Sequence, residues 1–390
     1  MAERKPPKHK THRSLPRPPF ENIALLLQGG GALGSYQAGV YQALAEADLH
    51  PDWVAGISIG AINSALIAGN PRESRIDRLR QFWEEITQAP LGLPDLSSIQ
   101  IKGDLAHSLV NQTRAFGALV GGLQPFFVPR MLPPFLQPRG SAEAVSFYDT
   151  TPLKATLERL VDFDRINECE TRFSVGAVNV RTGNFTYFDS NTHHIGPEHV
   201  MASGSLPPGF PATEIDGEFY WDGGLVSNTP LDWVLNNRPR QDTLAFQVDL
   251  WSANGDFPRD LAESDVRQKE IRFSSRTRAA TDQFRRAQKL RRAVGHLLKQ
   301  VSHNEKTRPD IELLAEEANE KVYNIIQLIY HAQNYEGSSK DYESSRRTME
   351  EHWRSGYNDA VRTLRHPEVL ERPDSPDGVF TFDLAVQGRE

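Results

Sequence analysis

The stretch that decides the fold is DWVAGISIGAIN, at residues 52–63 of the chain. Its apolar start predicts a strand over 53–55, its glycines predict a sharp turn over 56–60, and the remainder predicts a helix. The turn carries Gly56, Ser58 and Gly60 in the G-x-S-x-G spacing of a nucleophile elbow. So tight a turn needs small flanking residues and pushes the central hydroxyl into the open. Ser58 is therefore a candidate nucleophile at the N-terminus of a helix.

A glycine loop precedes this stretch. Residues 23–27 are continuously apolar, as expected for a buried parallel strand, and a helical pattern follows over 35–47. Between them lies Gly29-Gly30-Gly31. The spacing of the loop allows two interpretations, a dinucleotide fingerprint that holds a pyrophosphate and a nest of backbone N–H groups that stabilises an oxyanion.

The second strand distinguishes these interpretations. A dinucleotide site has an acidic residue at the end of that strand, which holds the ribose. Here the strand ends in Gly56 and is followed by Ser58. An oxyanion loop beside a nucleophile forms a coherent acyl-transfer site, and the sequence favours it.

A third glycine-containing motif supplies a carboxylate. Segments 212–215 and 218–221 flank an Asp-Gly pair, which predicts a β-hairpin. The hairpin delivers Asp222-Gly223-Gly224 at the end of a strand, on a backbone that can approach another segment closely. Asp222 is a candidate catalytic residue, and the alternative is an aspartate in an ordinary turn.

Four blocks occur in order along the chain: the glycine loop at 29–31, the elbow at 56–60, a small-residue segment ending in proline at 202–211, and Asp-Gly-Gly at 222–224. In these blocks the chain resembles the patatin-like acyl hydrolases, a family of lipases and phospholipases. The resemblance covers about residues 23–250. It implies an α/β fold of three layers, with a mostly parallel central sheet, helices on both faces and a helix-rich C-terminal extension of unknown role.

The resemblance also implies the site and the activity. The family uses a Ser–Asp dyad, so Ser58 would be the nucleophile and Asp222 the base, with no cofactor and no metal. The implied reaction is hydrolysis of lipid carboxylic esters through an acyl-enzyme, of the phospholipase A, lysophospholipase or lipase type. The oxyanion donors would be Gly29, Gly30, Gly31 and Ile59, and the remaining motif glycines are Gly56, Gly60, Gly223 and Gly224.

One position departs from the family pattern. Many members carry Arg or Lys after the oxyanion glycines, where this chain has Leu33. That departure opens a second substrate class, the neutral esters, including hydroxyalkanoate oligomers. A non-catalytic membrane-binding scaffold is disfavoured, because such a scaffold is expected to have lost Ser58 or Asp222.

A Ser–His–Asp triad is the alternative mechanism. Its base would be His193, His194 or His199, which all precede Asp222, whereas the α/β-hydrolase order places the histidine last. Later histidines at 352 and 366 lie in helical sequence that we expect to be exposed. The histidines lack a nearby carboxylate pair or cysteine, so no metal site is predicted.

Length and composition set the outer limits. The chain has 390 residues and a net charge of −7, and its one cysteine, Cys169, can form no internal disulfide. No apolar run is long enough for a membrane span and the N-terminus lacks a secretory signal, so we expect a cytoplasmic protein, with peripheral membrane contact as an open alternative. We expect a disordered basic tail over 1–20, a catalytic domain over 21–250 and an extension over 251–390, whose strand at 322–330 joins the core sheet.

Two segments are candidates for contact with a membrane. Residues 105–142 contain no acidic residue and are rich in apolar side chains and proline, which suits either an apolar lid over a lipid cleft or an excursion packed on the core. Residues 267–299 contain eleven Lys or Arg and two acids, which suits either an anionic surface or a solvated helix face paired with acids elsewhere. No nucleic-acid motif accompanies them, and the sequence does not indicate an oligomeric state.

Overall fold

The structure is a computed structural model that describes residues 11–88, 122–301, 308–331 and 345–384. Its strands are β1 (Asn22–Leu27), β2 (Trp53–Gly56), β3 (Val128–Pro129), β4 (Tyr148–Asp149), β5 (Arg172–Asn179), β6 (Phe185–Asp189), β7 (Thr213–Ile215), β8 (Glu218–Asp222), β9 (Thr243–Asp249), β10 (Tyr323–Ile329) and β11 (Val379–Phe382). Its α-helices are α1 (Ser35–Glu46), α2 (Ile59–Ala68), α3 (Arg75–Ile86), α4 (Thr151–Leu160), α5 (Phe163–Asn167), α6 (Pro197–Ser203), α7 (Leu231–Asn236), α8 (Leu261–Leu298), α9 (Pro309–Glu317) and α10 (Arg346–Leu364).

Within these residues, nine strands form one sheet in the order β11-β10-β9-β1-β2-β5-β8-β7, with β6 added to β5. The pairings from β11 to β5 are all parallel, and those of β6, β7 and β8 are antiparallel. The expected mostly parallel α/β sheet is therefore confirmed. Because β1 and β2 are parallel neighbours, Gly29 and Ser58, which follow them, emerge at the same edge of the sheet.

Helices cover both faces of the sheet. Alternate side chains of a strand point to opposite faces, and β1 shows this directly. Leu25 belongs to the apolar cluster that includes α1, α2, α3 and α10, whereas Leu26 belongs to the cluster that includes α7 and Phe284 of α8. The three-layer arrangement predicted from the family resemblance is thus present.

The C-terminal part of the chain contributes to the same sheet. β10 pairs in parallel with β9, with Tyr323 opposite Thr243, and β11 extends the sheet beyond β10. The short strand β11 was not predicted, because four residues carry too little pattern to identify a strand. These pairings join the helical C-terminal region to the sheet that carries Ser58.

Helix α10 crosses α1 at unusually close range. A methyl group on Gly39 would clash with the carbonyl of Trp353, and one on Gly356 would clash with the carbonyl of Tyr36. The indole Nε1 of Trp353 also donates a 2.7 Å hydrogen bond to Gln42 of α1. The two glycines therefore allow the backbones to approach, and this contact packs α10 against α1 on the face of the sheet that also carries α2 and α3.

The expected disordered tail over 1–20 is wrong for residues 11–20, and residues 1–10 lie outside the described residues. Leu15 and Phe20 are buried against the core. The N–H of Leu15 donates 3.0 Å to the carbonyl of Ala47, and the guanidinium of Arg17 pairs with Asp52 at 2.6 Å. The high content of basic residues and proline concealed these two apolar anchors. None of the helices in the described ranges combines the length and apolar character that crossing a membrane would require.

Candidate active site

Ser58 occupies the tip of the turn between β2 and α2. It caps the N-terminus of α2 with a backbone φ of 56°, a left-handed conformation that is strained for a residue other than glycine. A side chain at Gly56 would clash with the carbonyl of Gly60, and one at Gly60 would clash with the carbonyl of Leu27. The turn predicted from the G-x-S-x-G pattern is therefore formed, and its glycines allow this close packing.

The turn is held from the small-residue segment. The N–H of Ser58 donates a 3.0 Å hydrogen bond to the hydroxyl of Ser203, the last residue of α6. That hydroxyl in turn donates to the carbonyl of Gly176 on β5 at 2.7 Å. Ser203 is fully buried, so this pair of bonds ties the turn to the centre of the sheet.

Asp222 ends β8 and faces Ser58. It is only 2% exposed, and its Oδ1 accepts a 2.7 Å hydrogen bond from the N–H of Gly224. Burial raises the pKa of Asp222 to about 6, and the neighbouring Ser58 side chain and the hydrogen bond from the Gly224 backbone limit that rise. A carboxylate in this state accepts a proton more readily than an aspartate in water, yet it is largely ionised at neutral pH.

The glycine loop lies beside this pair. The N–H of Gly29 donates 3.3 Å to the carbonyl of Asn228. In the part of the chain that the structure describes, the N–H groups of Gly30, Gly31 and Ile59 have no hydrogen-bond acceptor. All three residues line the cleft that contains Ser58, so these donors are available to a ligand there.

Buried amides hold the glycine loop in place. The carbonyl of Gly29 accepts 2.9 Å hydrogen bonds from Nδ2 of Asn228 and from Nε1 of Trp251. The side chain of Gln28 accepts from the N–H groups of Leu250 and Trp251 at 2.7 and 3.0 Å. The loop is thus fastened to the end of β9 on one side and to the Asp222 segment on the other.

The cleft has a volume of about 340 Å³ and is mostly apolar. The polar side chains of the lining include Ser58, Asp222 and Asn228, which lie at one place in the cleft. The rest of the lining is apolar and suits an acyl chain. No Arg, Lys or His is among the described residues that line it. The large apolar side chains of the lining are Ile59, Ile62, Trp83, Ile86, Leu123, Phe126, Phe127, Leu206, Phe210, Trp251 and Phe273.

The histidines considered for a triad lie elsewhere. The Nδ1 of His199 accepts a 3.0 Å hydrogen bond from the N–H of Gly196, and burial lowers the pKa of His199. The ring of His193 contacts the hydroxyl of Thr192 at 2.9 Å. Neither these histidines nor His194 lines the cleft. Among the described residues, no group of three His, Cys, Asp or Glu side chains is placed to hold a metal ion.

The later histidines also lie away from the cleft. The expectation that His352 is exposed is wrong, because its ring is 2% exposed and packs edge-on against Tyr330 at 5.0 Å. It lies on the face of α10 that covers the sheet, which the charged composition of this helix obscured. His366 contacts Glu368 at 3.2 Å and is not part of the cleft lining.

Leu33 is fully buried in the apolar core and does not line the cleft. Leucine at this position, where many members of the family carry Arg or Lys, therefore adds no side chain to the described cleft lining. The residues that sequence reasoning missed are Ser203 as a support of the turn, and Asn228 and Trp251 as supports of the glycine loop. A signal for Asn228 exists, since a Ser-Asn-Thr-Pro turn follows Asp-Gly-Gly closely.

The two candidate membrane segments differ. Residues 105–121 lie outside the described residues, and within 122–142 Phe126 and Phe127 line the cleft whereas Met131 and Phe135 are exposed. The basic stretch belongs to α8, and several of its cations pair with acids of the same chain. These pairs include Arg267–Glu270 at 3.1 Å, Lys289–Asp377 at 3.5 Å and Arg291–Glu317 at 3.7 Å. They support the interpretation of 267–299 as a helix face paired within the protein.

Comparison with known proteins gives matches to family models, to sequences and to a solved structure. The family model described as "Patatin-like phospholipase" matches residues 25–235, and a second, described as "Patatin phospholipase", matches residues 271–376. Patatin-like phospholipase domain-containing protein 7 of Rattus norvegicus is 39% identical over 99 residues, and that of Mus musculus is 38% identical over 99 residues. These alignments cover 25% of this chain and 7% of each relative. The crystal structure of VipD from Legionella pneumophila aligns with 99% of this chain and 77% of that chain, at 15% identity and a TM-score of 0.40.

Proposed function

The chain belongs to the patatin-like phospholipase family, and we propose that it hydrolyses carboxylic esters of lipids with a Ser58–Asp222 dyad. The observation that carries the proposal is the placement of Ser58 beside buried Asp222 at the polar point of an apolar cleft. A nucleophile beside a base of raised pKa, with no histidine in the described lining, supports a dyad over a triad.

In the acylation step the hydroxyl oxygen of Ser58 attacks the ester carbonyl carbon while Asp222 takes the hydroxyl proton. A tetrahedral intermediate forms, and its collapse breaks the bond from the acyl carbon to the alcohol oxygen. Asp222 returns the proton to that oxygen, so the alcohol leaves neutral and the acyl group remains on Ser58.

We assign stabilisation of the oxyanion to the N–H groups of Gly30, Gly31 and Ile59. The N–H of Gly29 already donates to Asn228 and that of Ser58 donates to Ser203. These two N–H groups therefore hold the loop and the turn in position and are not assigned to the oxyanion. A preorganised donor of this kind contributes roughly 10²-fold or more to the rate.

Deacylation repeats the chemistry with water. Asp222 takes a proton from a water molecule, whose oxygen attacks the acyl carbon on Ser58. The ester bond to Ser58 breaks, the proton passes to the Ser58 oxygen, and the free acid leaves. The same carboxylate thus acts as base and then as acid in each half of the reaction.

The apolar lining supports an acyl chain as the group bound in the cleft, which suits substrates of the phospholipase A, lysophospholipase or lipase type. One observation favours a second candidate. The described lining contains no cation that would pair with a phosphate, so a neutral ester, including a hydroxyalkanoate oligomer, fits the described cleft as well as a phospholipid does.

A substrate panel tests the proposal. Purified protein is assayed against phospholipids, lysophospholipids, acylglycerols, hydroxybutyrate oligomers and p-nitrophenyl esters of graded chain length, with Ser58→Ala and Asp222→Asn as matched controls. We expect turnover of at least one ester class that both variants lose. Ester turnover that persists in Ser58→Ala would refute the dyad, and a wild-type protein inactive on every class would support the non-catalytic alternative.

A further inference from the structure

We propose that residues 130–147, here called the rim loop, dock on a lipid bilayer and place the mouth of the cleft against it. The rim loop exposes four large apolar side chains within six residues. The exposed fraction is 101% for Met131, 55% for Leu132, 81% for Phe135 and 64% for Leu136. Clusters of this kind are uncommon on a surface that faces only water, and they mark sites of interaction.

The backbone of the rim loop holds these side chains outward. The N–H of Leu136 donates 3.0 Å to the carbonyl of Pro133, and the N–H of Gln137 donates 3.1 Å to that of Pro134. At the base of the loop the guanidinium of Arg130 donates to the hydroxyl of buried Ser146 at 3.1 and 3.2 Å. Hydrogen bonds thus restrain the loop at its apex, over 133–137, and at its base, between Arg130 and Ser146.

The rim loop is continuous with the wall of the cleft. The strands β3 and β4 flank it, and Phe127 and Tyr148, which line the cleft, stand at its two ends. The N–H of Tyr148 donates 3.0 Å to the carbonyl of Gly209, another residue of the lining. The two ends of the rim loop therefore join directly to apolar residues that line the cleft containing Ser58.

The charge of the rim loop suits a bilayer. Its charged residues are Arg130, Arg139 and Glu143, a net charge of +1 in a chain of net charge −7. Arg139 is exposed beside the apolar side chains. Apolar groups flanked by a cation bind at the boundary of head groups and acyl chains, and the cation adds attraction to anionic lipid. A second copy of the chain is the competing occupant.

The choice of a bilayer rests on the proposed function, because a lipid ester is what the cleft would draw from it. The test therefore measures docking apart from catalysis. Ser58→Ala protein, which needs no turnover to bind, is mixed with vesicles of phosphatidylcholine alone and of phosphatidylcholine with phosphatidylglycerol, and the bound fraction is read by flotation.

The loop variant is Phe135→Ser/Leu136→Ser, and Met131→Ser/Leu132→Ser is a second, independent variant. The matched control is Leu297→Ser/Leu313→Ser, which removes two side chains of similar exposure, 64% and 63%, on α8 and α9. Helix α9 precedes the amino end of β10, so the control lies at the end of the sheet opposite Ser58.

We expect each loop variant to lower the affinity for both vesicle types about ten-fold or more, since two large apolar side chains no longer enter the bilayer. The control should stay within about two-fold, and Arg139→Glu should weaken binding to the anionic vesicles alone by about five-fold or more. When the same loop substitutions are made in protein that retains Ser58, the variants should hydrolyse a short, soluble p-nitrophenyl ester within about two-fold of wild type.

Unchanged vesicle binding in both loop variants would overturn the proposal, as would an equal loss in the control. A dimer that dissociates in the loop variants, in a protein that binds no vesicles, would identify a second copy as the occupant and also overturn it. Loop-dependent vesicle binding by a protein that hydrolyses no ester would refute the proposed function and leave the docking site standing.

Discussion

The backbone N–H of Ser58 and the side-chain hydroxyl of Ser203 are joined by a hydrogen bond of 3.0 Å. The hydroxyl itself donates a hydrogen bond to the carbonyl of Gly176 at 2.7 Å, so one buried side chain satisfies two backbone groups. Ser58 sits at a strained φ of 56°, and strain of this kind persists only where the surroundings enforce it. The Ser203 contact is one such restraint.

Ser203→Ala should lower kcat about ten-fold with little change in KM. The variant leaves the N–H of Ser58 without its acceptor, so the nucleophile loses its fixed position, and two unsatisfied buried groups should cost about 1–3 kcal/mol of unfolding free energy. Steady-state kinetics and urea unfolding measure the two effects. Ser205→Ala is the control, because its buried hydroxyl contacts Met201 and Thr213 at 2.9 Å and not Ser58. Equal loss of kcat in both variants would show a general packing effect.

The pH dependence should report Asp222. The dyad needs Asp222 ionised, and burial raises its pKa to about 6, so kcat/KM should rise with pH through about 6 and level off above it. The side-chain oxygens of Asn228 and Asp222 flank the same position, since a Cβ atom on Gly224 would meet them at 2.9 and 3.0 Å. Asn228→Asp therefore places a second carboxylate near Asp222, and like-charge repulsion should move the rise in kcat/KM to higher pH. The measurement is kcat/KM for a soluble p-nitrophenyl ester between pH 4 and 9. A profile that does not move in Asn228→Asp would count against Asp222 as the base.

Asp222→Asn should be inactive and more stable than wild type. An acid whose pKa is raised by folding binds its proton more tightly when folded, so its burial destabilises the protein as pH rises from about 4 to about 6 and stays unfavourable above that. Removing the charge should therefore raise the unfolding free energy by about 1–3 kcal/mol at pH 8 and by much less at pH 4. The buried Asp249, whose pKa burial raises to about 7, titrates in both proteins and cancels from the difference. Urea unfolding at the two pH values checks this, and an equal effect at both would contradict the assignment.

Gly356→Ala should destabilise the protein by several kcal/mol. The added methyl group would overlap the carbonyl of Tyr36, and the two helix backbones can separate only by disturbing the packing of α1 and α10 on the core. Gly295→Ala is the control within a helix, since its methyl group meets nothing nearer than 3.5 Å and removes the flexibility of glycine, a gain of about 0.5–1 kcal/mol. Thermal or urea unfolding compares the two. Similar stability in both variants would show that α1 and α10 do not depend on this crossing.

The sequence predicted the parts of the fold that depend on local pattern. The apolar run before Gly29 and the Gly56-x-Ser58-x-Gly60 turn were recognised because backbone geometry of this kind tolerates few residue types. The position of Asp222 at the end of a strand was predicted for the same reason, since a hairpin signal and two glycines mark its place. Each of these features needs only a few consecutive residues.

What the sequence concealed depends on contacts between distant segments. Ser203 meets Ser58 across 145 residues, and Asn228 meets Gly29 across 199, so nothing local distinguishes these side chains from ordinary turn residues. The same holds for His352, whose burial follows from how α10 crosses the sheet. Leu15 and Phe20 are anchors that only the fold reveals, because their neighbours have the composition of a disordered tail.

The most direct test of the central claim is covalent labelling of the nucleophile. The protein is treated with a fluorophosphonate probe, which reacts with activated serines, and the adduct is located by peptide mass spectrometry. The account predicts one adduct on Ser58, strongly slowed in Asp222→Asn, absent in Ser58→Ala and retained in a His193→Ala/His194→Ala variant. An adduct on another residue, labelling that persists in Ser58→Ala, or loss of labelling in the histidine variant would contradict it.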